Sequence, residues 1–245
     1  MGPSAGRKHE LRQAVLNWWA DRRPRDGFAA SLRILLSELW GFVLESMPEQ
    51  RRRRYGDVEY DWDHGVDTTS ATVGWRERLL GVFHSPYQPS EPGLFHEMLQ
   101  SLPTDFTGFT FVDLGSGKGR TLLMASDYPF RKIIGVELLP ELHRVASENL
   151  RKYASEKQTC RTLEARCGDA REFNFPADPI VLYLFNPLPE ASLRTVVQNL
   201  ERSLREYPRK VLVIYHNPRL EHVLTASLVL KRTSGTHQYS VYESV

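Results

Sequence analysis

The chain has 245 residues, 41% hydrophobic and 25% charged, with 32 Lys and Arg against 30 Asp and Glu. This composition excludes collagen, a wholly disordered chain and a disulfide scaffold, and a net charge of +2 does not by itself argue for nucleic acid. Two cysteines, Cys160 and Cys167, fall short of the four ligands of a structural zinc site, so reduced thiols, no metal and a cytoplasmic setting are expected.

No run of about 18 apolar residues is present to span a membrane. Residues 1–10 lack the apolar core of a secretory leader. Residues 1–105 are expected to form a helical and loop extension that caps the site, and residues 106–245 the main domain. The extension carries 13 Lys and Arg against 15 Asp and Glu, so it is no basic arm despite four consecutive arginines at 51–54.

In chain order, residues 11–20 and 31–44 have helical spacing, the second with Leu32, Leu35, Leu36 and Leu39 on one face. Residues 55–74 are polar and aromatic without periodicity and read as a loop. Asp61, Asp63, His64 and Asp67 lie there, and Asp67 and Thr68 are candidates to meet a substrate. Residues 85–93 hold three prolines and read as irregular, followed by a helix over 94–102.

From there, short apolar runs alternate with amphipathic stretches. Strands are expected over 109–114, 131–137, 161–167, 179–185 and 210–215. Helices are expected over 118–126, 141–153 and 190–206. Residues 227–231 and 238–242 read as a closing hairpin turning at Ser234 and Gly235. The alternation implies a Rossmann-like α/β fold, a mostly parallel seven-stranded sheet with helices on both faces. Ligands in such sheets sit at the carboxyl ends of the strands, here just after Leu114, Glu137, Cys167, Phe185 and Tyr215.

Residues 112–120 read VDLGSGKGR, a glycine-rich turn between a strand and a helix. A phosphate loop needs Ser or Thr after its lysine, but Gly119 follows Lys118. A dinucleotide fingerprint needs a third glycine where Arg120 stands. Asp113, two residues before the first glycine, is badly placed for a pyrophosphate and well placed for an ammonium group. Glu137 closes the second strand and suits the hydroxyls of a ribose. Asp169 follows the third and suits an adenine amine. An adenine, a ribose and an amino-acid tail without phosphate describe S-adenosylmethionine.

FVDLGSGKGR, GVELLP, CGDAREF and YLFNPLP resemble, in order and spacing, the motifs of class I S-adenosylmethionine-dependent methyltransferases, over roughly residues 80 to 245. By that resemblance Asp113, Gly115, Ser116, Gly117 and Gly119 would hold the methionine moiety and Glu137 the ribose. Leu138, Asp169 and Ala170 would surround the adenine, with Phe185 bordering the cofactor. S-adenosylhomocysteine would be the product.

Asn186-Pro187 resembles the start of a motif of methyltransferases that act on amine nitrogens, with Leu188 where that motif has a second proline. Asn186 and Pro187 would meet the acceptor, and Asn186 would act in catalysis. His216 is a candidate general base or acceptor ligand. The segment with Tyr87, Pro89 and Ser90 resembles one that closes over the cofactor in non-SET histone lysine methyltransferases and a family of mitochondrial lysine methyltransferases. A nitrogen acceptor, with a protein lysine first, is the resulting expectation. The alternatives are O-methylation of a small molecule or modified peptide, nucleic-acid methylation, and adenosyl binding without catalysis. A protein or small-molecule acceptor is favoured over nucleic acid, and the sequence gives no oligomeric state.

Overall fold

A computed structural model of the chain describes residues 58–69, 88–185 and 188–245, together with Leu32, Arg33 and Leu36. The chain divides into two compact units, Met1–Gly56 with Ser70–Gln88, and Asp57–Thr69 with Pro89–Val245. In the first unit Leu32, Arg33 and Leu36 are helical and exposed. The expected helix over 11–20, most of that over 31–44 and the four arginines at 51–54 lie outside the described residues.

The second unit begins with helix α1, Val58–His64, where the sequence reads as a loop. The reason is chemical: among the described side chains of this helix the buried one is an acid, Asp61, so no apolar periodicity marks it. Gly65, with φ 63°, ends the helix, and the Val66 N–H donates back to the Asp61 carbonyl at 3.0 Å. Helix α2, Pro92–Gln100, starts two residues earlier than expected. Pro92 fits its first turn, and Glu91 caps it by accepting from the N–H groups of Gly93 and Leu94.

Strand β1, Thr110–Leu114, helix α3, Arg120–Ala125, strand β2, Lys132–Glu137, helix α4, Pro140–Lys152, and strand β3, Leu163–Cys167, follow. Then come β4, Ile180–Phe185, α5, Glu190–Glu206, β5, Val211–His216, a short helix α6, Glu221–Thr225, β6, Leu230–Gly235, and β7, Tyr239–Ser244. Helix α6 has too few residues for its period to be legible. The hairpin strands also sit later in the chain than expected. All of β6 after Leu230 is exposed, so it shows no alternation, and the reversal falls after Gly235, where Thr236 N–H donates to the Tyr239 carbonyl at 2.8 Å.

The seven strands lie in the order β3-β2-β1-β4-β5-β7-β6. The first five are parallel and β7 runs antiparallel between β5 and β6. Each sheet face is buried. Val112, Leu114, Leu182, Leu184 and Val213 pack with Leu193, Val196 and Leu200 of α5. Phe111, Ile133, Val181, Tyr183 and Ile214 pack with Phe95 and Leu99 of α2 and Leu122 of α3. Strand alternation puts Asp113, Glu137, Phe185 and His216 on that second face, at or near the carboxyl ends.

Candidate functional site

The turn after β1 hangs from β2. The N–H groups of Gly115 and Ser116 both donate to the Val136 carbonyl, at 2.8 and 3.0 Å. Gly115, Gly117 and Gly119 have φ of 91°, 54° and 85°, a region that side chains with a Cβ avoid. At Gly119 the missing side chain also admits α4, since a Cβ would stand 3.3 Å from both Ala146 Cβ and Leu150 Cδ1. Gly135, one strand over, leaves room for the turn itself, because a Cβ there would lie 2.5 Å from Leu122 Cδ1 and 2.7 Å from Ser116 Oγ.

Asp113 is buried on this face. Its Oδ2 accepts from the Thr121 hydroxyl, while Oδ1 is buried with no hydrogen-bond partner among the described residues, as is the Ser116 hydroxyl. Burial pushes the Asp113 carboxyl up to about 7. The buried Glu137 accepts from Gly117 N–H through Oε2 and from Leu139 N–H through Oε1, each at 2.8 Å. Burial raises its pKa and those two donors draw it back. Beside it Leu138 is 43% exposed, a large apolar side chain presented to the outside at the end of a buried strand. After β3, Ala170 is buried, and Asp169 caps a 3₁₀ turn, accepting from Arg171 N–H and pairing with the Arg171 guanidinium.

On the other side of β1, the rings of Phe185 and His216 stack with centroids 3.8 Å apart and planes 15° apart. They are register partners at the ends of β4 and β5. His216 Nδ1 lies 2.7 Å from the Tyr183 hydroxyl, which lies 2.8 Å from the Ser90 hydroxyl. Pro89 is buried next to Ser90. Tyr87, Asn186 and Pro187 lie outside the described residues.

Asp67 and Thr68, read from sequence as substrate-side, are engaged with the glycine-rich turn. Asp67 Oδ1 accepts from Lys118 Nζ at 2.8 Å, and Thr68 Oγ1 from Arg120 Nε at 2.6 Å. Asp61 accepts from the N–H groups of Thr68 and Thr69 and from Arg120 Nη2. Asn149 of α4 closes the junction, donating to the carbonyls of Asp67 and Lys118 and accepting from Asp67 N–H. Sequence reasoning missed Lys118, Arg120, Asn149 and Tyr183 in these parts. The signal for Tyr183 was a polar-tipped ring inside a buried strand, which requires a partner.

Residues 111–207 match the model of a family described as a methyltransferase domain. This segment is a methyltransferase domain. No curated protein matches the chain. Among solved structures, the methyltransferase domain is similar to an RNA methyltransferase from Salinibacter ruber in complex with S-adenosyl-L-homocysteine, at 24% identity and a TM-score of 0.43, over 64% of this chain and 92% of that one. It is also similar to a ribosomal protein L11 methylase from Lactobacillus delbrueckii subsp. bulgaricus, at 14% identity and a TM-score of 0.42, over 62% and 75% of the two chains. A third is Aeropyrum pernix fibrillarin with natively bound S-adenosyl-L-methionine, at 19% identity and a TM-score of 0.44, over 62% and 74%.

The methyltransferase domain's residues fit that cofactor. Among the described residues Asp113 Oδ1 and Ser116 Oγ are buried polar atoms without partners, the first, at the end of β1, an acceptor for an ammonium group and the second in the turn that the glycines shape. No helix among the described residues is long and apolar enough to cross a membrane.

Proposed function

We propose that the chain moves the methyl group of S-adenosylmethionine to a nitrogen acceptor, with a protein lysine as the first candidate. In this reading Asp113 holds the amino-acid ammonium and the glycine turn with Ser116 holds the rest of the methionine moiety. Glu137 takes the ribose hydroxyls, Leu138 and Ala170 flank the adenine, and Asp169 accepts from its amine. The bound cofactor supplies an electrophilic methyl on a sulfonium. The chain's task is to hold the acceptor in line and keep water out.

The observation that carries the acceptor side is the Phe185–His216 stack at the ends of β4 and β5. It forms a flat aromatic wall directly before Asn186 and Pro187 in the chain, the pair that resembles the amine-methylating motif. Asp67 and Thr68 enter this reading through Lys118 and Arg120, as supports of the cofactor turn.

The purified chain should bind S-adenosylhomocysteine in calorimetry, and Asp113→Ala and Glu137→Ala should each weaken binding at least tenfold. The acceptor is tested with labelled cofactor and a cell lysate separated into protein, RNA and small-molecule fractions. Label recovered as methyl-lysine from the protein fraction is expected. Label confined to RNA or to oxygen esters overturns the acceptor and leaves cofactor binding standing.

A further inference from the structure

The face of the sheet that carries Asp113 also carries a buried chain of three side chains, Ser90, Tyr183 and His216, linked at 2.8 and 2.7 Å. They come from three places: the segment before α2, the middle of β4 and the end of β5. Phe95 of α2 packs edge-on against the Tyr183 ring at 5.6 Å, and Phe185 stacks on His216. Neither ring can turn without losing its packing.

Counting hydrogens sets the direction of the chain. Ser90 and Tyr183 bring one hydroxyl hydrogen each, and a neutral imidazole brings one, on either nitrogen. Burial raises the Tyr183 phenol well above its ordinary range, so it keeps its hydrogen. Burial lowers His216 to about 4, against an opposing pull from Glu91, so its ring is neutral at neutral pH. Ser90 is the end of the chain, and among the described residues Tyr183 is the hydrogen-bond partner of its hydroxyl. A buried hydroxyl that donates to nothing is penalised, so Ser90 donates to Tyr183. Tyr183 then donates to Nδ1 of His216, and the ring hydrogen is left on Nε2.

We infer that Tyr183 is a positioning residue that fixes His216 as its Nε2–H form, so that His216 meets the methyl acceptor as a hydrogen-bond donor and not as a base. This rests on the proposed acceptor site at the ends of β4 and β5. It narrows the acceptor to molecules that present an oxygen, such as a backbone or side-chain carbonyl, beside the nitrogen that is methylated. The nitrogen lone pair forms the new C–N bond, the C–S pair returns to sulfur, and the proton shed by nitrogen goes to solvent.

Histidine-selective ¹⁵N labelling of the full chain and long-range ¹H–¹⁵N spectra read the ring form directly. The His216 signals are those lost in His216→Gln. The wild-type ring should show an unprotonated Nδ1 and a protonated Nε2 at neutral pH. Tyr183→Phe should move both nitrogens toward the averaged shifts of two exchanging forms, with S-adenosylhomocysteine binding retained. A protonated Nδ1 in the wild type overturns the inference, as does an unchanged ring form in folded Tyr183→Phe. Should that variant fail to fold, the wild-type spectrum decides. The expected ring form in a chain that binds no S-adenosylhomocysteine would instead strike at the proposed function.

Discussion

Asp113 stands near the balance point between its charged and neutral forms at neutral pH, because burial pushes its carboxyl to about 7. An ammonium group placed beside it favours the charged form. Cofactor binding should therefore release up to one proton near pH 7, and affinity should fall as the pH drops below that value. Calorimetry in two buffers of different ionisation heat measures the release, and Asp113→Asn should abolish it and weaken binding roughly tenfold to a hundredfold, the range for a hydrogen bond to a charged group. Without ligand the sign reverses into a cost. A folded pKa above the unfolded 3.8 means the native state holds more protons between about 4 and 7, so this residue's contribution to stability falls as pH rises through that window. His216 works oppositely: its folded value of about 4 lies below 6.5, so its contribution is present above 6.5 and lost as pH falls toward 4. Denaturation of Asp113→Asn and wild type across this range should show the variant gaining on the wild type as pH rises.

Among the elements, α1 and the five residues after it are fixed to the methyltransferase domain by charge. Lys118 and Arg120 are each 2% exposed, and their carboxylate partners Asp67 and Asp61 lie in this segment. The same two cations bracket Gly119, so the segment and the cofactor turn are ordered together. Asp61→Ala removes a carboxylate that accepts from two backbone N–H groups, the Thr68 hydroxyl and Arg120. A loss of roughly 2–4 kcal/mol is expected, read as a lower denaturant midpoint, together with weaker S-adenosylhomocysteine binding. Neither change would mean that the turn holds its shape alone.

This segment also marks where the sequence stops being legible. Four of the five parallel strands were readable because strands buried on both faces are nearly continuous apolar runs, as in residues 180–185, IVLYLF, whereas β3 at the sheet margin is LEARC and only partly buried. The glycine turn was readable because its chemistry is local, with Asp113 two residues before Gly115. Helix α1 was hidden because what it buries is Asp61, and the acid's partner Arg120 lies 59 residues away. Tyr183 reads as core until Ser90, 93 residues upstream, supplies the other half of its hydrogen bonding. Local pattern finds elements; pairings between distant polar groups need the fold.

For the whole domain, the strand order turns back between β1 and β4, and ligands of open α/β sheets bind at such a reversal. Asp113 lies on one side with Glu137, and Phe185 and His216 on the other. The residues proposed to bind cofactor come from the ends of separate strands, so only the assembled sheet brings them together. Saturation should then stabilise the folded state by mass action, by about 2.7 kcal/mol at a ligand concentration of 100 times Kd. Denaturation with and without S-adenosylhomocysteine measures it. Demonstrated binding without a shift in midpoint would show that the ligand also binds a chain whose sheet has come apart.

The sheet's two outermost strands have a consequence of their own. On β6, Lys231 and Arg232 are exposed and the pairing slips between Arg232 and Ser234. On β3, Glu164 is bound to both Lys132 and Arg166. A strand from a second molecule would have to strip water from these charges and, at β6, follow an irregular ladder. The domain thus carries its own guard against fibrous growth by strand addition, set at both margins of the sheet.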